Sequence, residues 1–362
     1  MSTTTTVSAE ELLNTIAATR RQVLKDAAAT MAESPVEDGP TKSAIVLKNG
    51  EQLFSAVFGF VPPVRGDFAV PVRTPADWPS WAHAYIPSKN EQHIWSQKET
   101  EMVVSAMIRG KRSGLIHGPK GCGKSQLGEQ VCAYLCIPFF RVNLSEDAEG
   151  SRVFGAPNVI EGSLDWTKGM AEMAAEIGGV LCVDEVSAAP PGINLNMQWM
   201  LEKNGKILLE NKPEQAGERL IVPKSGFFVL CTDNTQLQGD ATGKYGGTQV
   251  QNEAFIDRMQ FVIAMGYMDP AKEIEMIKGY YKKLRKETAT KMVTLATQIR
   301  NLYDNKKVGL TISPRGLLEW AEEAVDTGSI PEAFRYTIYD KFMDADKTQV
   351  NDLFMRVFGV PL

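Results

Sequence analysis

Apolar and polar positions change their period several times along this 362-residue chain, and the changes divide it. Near the start, Leu12, Ile16, Val23, Ala27 and Met31 recur at helical spacing. Ser8 and Glu11 precede them as a capping box, and Pro35 sets the limit of the predicted helix. Residues 43–60 read as two short strands around Asn49-Gly50, a two-residue hairpin signal. The Pro-rich stretch Val61 to Pro87 reads as a linker. From Ser96 the texture becomes alternating helix and strand, with Ser96 and Glu99 as a second capping box and Gly110 as a stop. Apolar runs of strand length follow at Leu115–Ile116, Phe139–Val142, Val180–Val183, Phe227–Cys231 and Phe261–Ala264. Helical patterns lie between most of them, which predicts a parallel sheet covered on both faces. Beyond Asp269 only helices are predicted, and no internal repeat is present. The expected division is an accessory region over 1–90, an α/β core over 91–268 and a helical region over 269–362.

Composition narrows the classes. Apolar residues make up 43% of the chain and charged residues 23%, as in an ordinary globular protein. A formal net charge of −5 leaves no overall footprint for nucleic acid or an anionic membrane surface, although a local basic patch stays open. The five cysteines form no C-x-x-C pair, and His83, His93 and His117 are not spaced for metal. Four of the cysteines fall in segments that read as buried, which suits a reducing compartment. The start, MSTTTTVSAEELL, lacks a basic stretch followed by an apolar run, and no segment approaches a membrane span. A cytoplasmic protein is expected.

The chemistry centres on Gly118-Pro119-Lys120-Gly121-Cys122-Gly123-Lys124-Ser125, which fits G-x-x-x-x-G-K-[ST] between a short strand and a helix. The glycines turn backbone N–H groups inward around phosphate oxygens, and the helix that follows directs its positive end to the same point. Lys124 would reach the β and γ phosphates, and Ser125 would ligate Mg²⁺. A second strand ends in Asp184-Glu185. Asp184 would hold the metal and Glu185 would polarise the attacking water. Asn234, after the strand Phe227–Cys231, either holds that water or the γ-phosphate by hydrogen bond or is a turn residue. Asn143, ending Arg141-Val142-Asn143, is a candidate to orient Glu185. Arg258 either reaches a neighbouring chain's nucleotide or pairs with Asp257 or another surface carboxylate. In Ser313-Pro314-Arg315 the Ser caps a helix and Pro takes its first position, so Arg315 projects from the first turn. A cation there is disfavoured, so Arg315 either faces a phosphate or is a surface arginine.

This ordered set resembles the MoxR branch of AAA+ ATPases, and within it the cobaltochelatase motor subunits of the CobS type. The similar stretches are Arg141-Val142-Asn143-Leu144, the loop Gly239 to Gln249, Asp257-Arg258 and the terminal Arg356 to Val360. The resemblance implies a five-stranded ASCE core, a helix-2 insert over residues 145–170, a hairpin before sensor 1 over 205–226 and a C-terminal helical lid. It also implies ATP rather than GTP, with Mg²⁺, and a homo-oligomeric hexamer with nucleotide between subunits. Asn234 then looks like sensor 1, Arg258 like the arginine finger and Arg315 like sensor 2. Many members work with a partner bearing a von Willebrand A domain. The first 90 residues, Met259 and Cys122 depart from the family pattern, so the likeness covers the engine and not its cargo.

Three functions compete. A protein-remodelling ATPase suits the predominantly acidic insert, with Glu146, Asp147, Glu149, Glu161 and Asp165 against Arg152 and Lys168. Phe154, Leu164 and Trp166 there either grip polypeptide or pack in the core. A DNA or RNA translocase needs a basic stripe, and Lys203, Lys206, Lys212, Arg219 and Lys224 are nearly cancelled by Glu202, Glu210, Glu214 and Glu218. A nucleotide-gated assembly scaffold with vestigial hydrolysis is disfavoured by the intact Glu185, Asn234 and Arg258.

Overall fold

A computed structural model describes residues 45–145, 150–160, 163–240 and 246–362. The helix expected over Leu12 to Met31 lies outside them, as does part of the Gly239–Gln249 loop. The turn at Asn49-Gly50 forms, with Gly50 at φ 81° and the Glu51 N–H donating to Lys48 O at 3.0 Å. No local hairpin follows from it. The strand β1 (Glu51–Leu53) instead pairs antiparallel with β2 (Ala69–Pro71), and Phe54–Phe58 is a helix. Helical spacing puts Phe54 and Phe58 on one buried face with ring centroids 4.5 Å apart, and burial of two aromatics outweighs strand propensity here. The stretch read as a linker packs down as well. Val70 and Ala82 are buried, the Arg73 N–H donates to Leu135 O at 3.0 Å, and the Trp78 indole donates to Cys136 O at 2.7 Å.

In chain order the remaining strands are β3 (Ser113–His117), β4 (Phe139–Asn143), β5 (Gly155–Ile160), β6 (Ser163–Lys168), β7 (Val180–Asp184), β8 (Ile207–Leu208), β9 (Leu220–Ile221), β10 (Phe228–Asp233) and β11 (Val262–Ala264). Among the described residues five of them form a parallel sheet in the order β11-β3-β10-β7-β4. β7 and β10 are buried throughout, as continuous apolar runs require in a sheet covered on both faces. The helices Gln97–Ile108 and Lys124–Leu135 contribute to the apolar cluster that contains Val104, Leu127 and Phe228. Ser96 is the N-cap of the first of these helices, yet its side chain makes no cap hydrogen bond. Thr100 Oγ1 donates to Ser96 O at 2.8 Å instead.

Two hairpins interrupt the α/β alternation. β5 and β6 pair antiparallel inside the insert, and β8 and β9 pair antiparallel ahead of β10. Both lead to one buried carboxylate on the helix Met170–Ile177. Glu172 accepts from Trp166 Nε1 at 2.7 Å and from Lys212 Nζ at 2.6 Å. The lid consists of helices Pro270–Tyr280, Lys286–Asp304, Pro314–Thr327, Ile330–Thr337 and Asp344–Phe358 around Trp320, Phe334 and Phe354. Buried Arg300 binds both oxygens of Glu273, at 2.8 and 2.9 Å, and lies 4.2 Å from the Tyr267 ring centroid. The Tyr267 hydroxyl donates to Lys120 O at 3.2 Å, which links the lid to the phosphate loop.

Candidate active site

The carboxyl ends of β3, β4, β7 and β10 face the lid helix Pro314–Thr327 across a cavity of about 520 Å³. Its floor is the loop 118–125, which leads from β3 into the helix Lys124–Leu135. Two glycines in this loop have no substitute. Gly118, at φ 156°, would put a Cβ 1.9 Å from Met265 O, and Gly121, at φ 75°, would put one 2.5 Å from Ser313 Cβ. The loop is therefore pressed against the strand end β11 and the lid at once. Lys124 is buried, and burial holds its ammonium below the usual lysine range. Its donors engage Gly118 O at 2.9 Å, Pro119 O at 3.0 Å and Asn234 Oδ1 at 2.7 Å.

Parallel register places the acidic residues opposite this loop. Asn143 of β4 pairs with Asp184 of β7, and Cys231 of β10 pairs with Val183, so Thr232 stands beside Asp184. Asp184 is buried, and its Oδ1 accepts from Ser125 Oγ and Thr232 Oγ1, each at 2.5 Å. Glu185 is exposed and sits in the left-handed region at φ 55°, ψ 48°. A non-glycine residue pays strain for that conformation, here in a turn that directs the carboxylate into the cavity. Asp233 fixes the next loop, accepting from Ser187 Oγ and from the N–H groups of Thr235 at 2.7 Å and Leu237 at 2.8 Å. Asn234 is thereby held toward Lys124. Arg315 lines the lid side of the same cavity, with Ser313 capping its helix by accepting from Gly316 N at 3.2 Å.

The arrangement suits a nucleoside triphosphate, and comparison with known proteins agrees. Residues 113–259 match the AAA domain of the dynein-related subfamily, and residues 273–354 match the CbbQ/NirQ/NorQ C-terminal family. The aerobic cobaltochelatase subunit CobS of Sinorhizobium sp. is 31% identical over 314 residues, which cover 84% of this chain and 90% of the relative. The chain belongs to the MoxR-type AAA+ ATPases, close to CobS. The denitrification regulatory protein NirQ of Stutzerimonas stutzeri is 24% identical over 245 residues, covering 67% of this chain and 80% of its own. Among solved structures, the Thermotoga maritima RuvB Holliday junction branch migration motor matches 76% of this chain and 80% of its own, with a TM-score of 0.44 and 12% identity.

As an AAA+ ATPase the chain acts on ATP, and its cavity has features that would fit the nucleotide and a metal ion. The loop is a cradle that a Cβ would fill, and Ser125, Asp184 and Thr232 converge as a set of hard oxygen donors. The structure brings together Lys124, Ser125, Asp184, Glu185, Asn143, Asn234 and Arg315 around one cavity. It does not bring Arg258 there. Arg258 pairs with Glu202 at 2.9 Å and donates to Ala254 O at 2.7 Å. Its carbonyl accepts from Ser113 Oγ at 2.8 Å, at the start of β3. The phosphate loop leaves the other end of that strand, roughly 13 Å away at ~3.3 Å per residue. Cys122 points inward, with Sγ donating to Met265 O at 3.6 Å, so it serves packing.

Sequence reasoning missed two residues of this AAA+ site. Thr232 is the neutral donor that shares Asp184 Oδ1 with Ser125. Arg141 binds Asp184 Oδ2 through both Nε and Nη2. Its signal was its place two residues before Asn143, which on a strand means the same face.

Proposed function

We propose that this chain is a ring-forming, Mg²⁺-dependent ATPase that remodels a protein partner. The observation that carries the proposal is that the candidate side chains Lys124, Ser125, Asn143, Asp184, Glu185, Asn234 and Arg315 surround one cavity while Arg258 lies at the far end of β3. Only another copy of the chain, seated against the open cavity, could supply that guanidinium to the same nucleotide. The Arg258–Glu202 pair is solvent-exposed and worth at most about 1 kcal/mol, so Arg258 is easily released to a neighbour. In this reading Lys124 neutralises the β and γ phosphates, Ser125 and Asp184 hold Mg²⁺, Glu185 polarises water, Asn143 orients Glu185, Asn234 positions the water, and Arg315 reports the nucleotide to the lid.

Protein rather than nucleic acid is favoured by the charges of the two hairpins. Lys212 is buried against Glu172 and is unavailable to a phosphate backbone. Lys168 pairs with Glu176 at 2.5 Å, which subtracts another cation. Leu164, Leu208 and Val222 are exposed on the hairpins, as contacts for polypeptide would be. CobS is by its name one subunit of a larger enzyme, which agrees with a motor that serves a partner, such as a protein with a von Willebrand A domain. Among the described residues no helix is long and apolar enough to cross a membrane, and we place the motor in the cytoplasm. The test is sizing with ATP and Mg²⁺, followed by turnover with an unfolded model polypeptide or with DNA at matched salt. A ring of several chains stimulated by polypeptide is expected. A monomer at all concentrations, or stimulation by DNA alone that fades with salt, would overturn it.

A further inference from the structure

Arg141 stands on the edge strand β4 with its guanidinium at the boundary of two cavities. One is the nucleotide cavity described above. The other lies at the base of the insert hairpin and is lined by Asn143, Arg152, Pro157, Asn158 and Lys168. The side chain is 47% exposed, whereas the Asp184 side chain it grips is 4% exposed. Asp184 has no lone pair to spare. Ser125 and Thr232 occupy Oδ1, with the Cys182 thiol a weaker donor to it at 3.8 Å, and the two guanidinium N–H groups occupy Oδ2. A carboxylate offers about four acceptor sites, and all four are taken.

We propose that Arg141 is a stand-in cation, holding the metal-binding carboxylate of Asp184 until the Mg²⁺–nucleotide complex displaces it. This rests on the assignment of Asp184 to the metal. Three features of the site make the exchange workable. A buried carboxylate without a counter-charge would be costly, and Arg141 supplies one in the nucleotide-free protein. Arg141 occupies Oδ2 of the carboxylate that would hold Mg²⁺, so its grip would compete with a metal ion for that oxygen. Finally, the released side chain has room, because it already borders the insert cavity. Arg152 also lines that cavity, and its positive charge disfavours Arg141 there, which biases it back to Asp184 when the metal leaves. Metal arrival at the nucleotide site is thus coupled to a charge moving toward the base of the insert. Arg141 is a positioning residue, acting through Asp184.

The test is the free Mg²⁺ concentration giving half-maximal binding of a fluorescent, non-hydrolysable ATP analogue to the full-length chain, with a parallel titration in EDTA. Arg141→Ala should lower the Mg²⁺ midpoint about tenfold, equivalent to ~1.4 kcal/mol of released competition, and leave the affinity in EDTA unchanged. Arg141→Lys keeps the charge without the two-pronged grip and should fall between. A midpoint that stays put or rises in both variants overturns the proposal. So does a matching loss of affinity in EDTA, which would make Arg141 a phosphate ligand. Because the residue sits half-exposed on an edge strand, both variants should fold, and should either fail, the other decides. A parent protein whose binding ignores Mg²⁺ would overturn the metal assignment itself, a separate failure.

Discussion

Glu172→Gln should loosen both inserted hairpins at once. The carboxylate is fully buried and its two oxygens serve different hairpins, Oε2 taking the Trp166 indole from β6 and Oε1 taking Lys212 from the segment after β8. The amide keeps the shape and one acceptor but removes the charge. Lys212, whose side chain is only 5% exposed, is then a buried ammonium with no counter-ion. Removing one partner of a buried pair costs about 3–5 kcal/mol. Taking the lower figure, with about 1.4 kcal/mol per factor of ten, the opening equilibrium of the hairpins rises on the order of a hundredfold. Hydrogen exchange by mass spectrometry reads this directly, since local opening sets exchange in each segment. Peptides covering 155–168 and 207–221 should lose protection together, while β7 and β10 keep theirs. Adding Lys212→Met should recover much of the loss, because the orphaned charge is gone. If only one hairpin loosens, or the double variant is no better than the single, Glu172 is not their common anchor.

Lys124→Ala should lose nucleotide binding, measured with a fluorescent ATP analogue; unaltered affinity would remove the loop 118–125 from the site. Arg258→Ala should bind ATP nearly normally and hydrolyse it slower by ~10³ or more, and mixing it with Lys124→Ala should restore part of the activity in shared interfaces. Sizing must show mixed assemblies, and no recovery at any ratio would refute supply of Arg258 in trans. His93 is held by burial at about 4, below its usual value of 6.5, and its Nε2 has no partner. The folded state therefore binds fewer protons than the unfolded state between these values, so stability is complete above pH 6.5 and falls as pH drops toward 4. His93→Gln should flatten that part of a denaturation-versus-pH curve, and an unchanged slope would assign it to other groups.

Some of this was legible in the sequence because one physical signal decided it. The strands of the sheet were visible as apolar runs, continuous in β7 and β10, which are buried on both faces and tolerate nothing else. The grouping of Lys124, Ser125, Asp184 and Glu185 around one cavity was legible because the motif and the acidic pair both sit at strand ends. Residues 54–58 misled because the pair Phe54 and Phe58 fits a buried helix face, and only the third dimension tells which face is available. The Pro-rich stretch misled because prolines exclude regular ladders without excluding packing, as Val70 and Ala82 demonstrate. Arg141 escaped because an arginine on an edge strand reads as surface, and its partner Asp184 is 43 positions away. The buried pair of Glu172 and Lys212 escaped for the same reason, as long-range charge pairing leaves no local periodicity.

Hydrolysis centred on Glu185 is the claim on which the function depends, and Glu185→Gln tests it most directly. The amide preserves the shape of the side chain while losing the carboxylate proposed to polarise water. Rapid quench of the variant loaded with radiolabelled ATP and Mg²⁺ should find ATP bound with near-parental affinity and phosphate release slower by ~10² or more. Parental turnover in the variant would contradict the claim and move the catalytic carboxylate elsewhere.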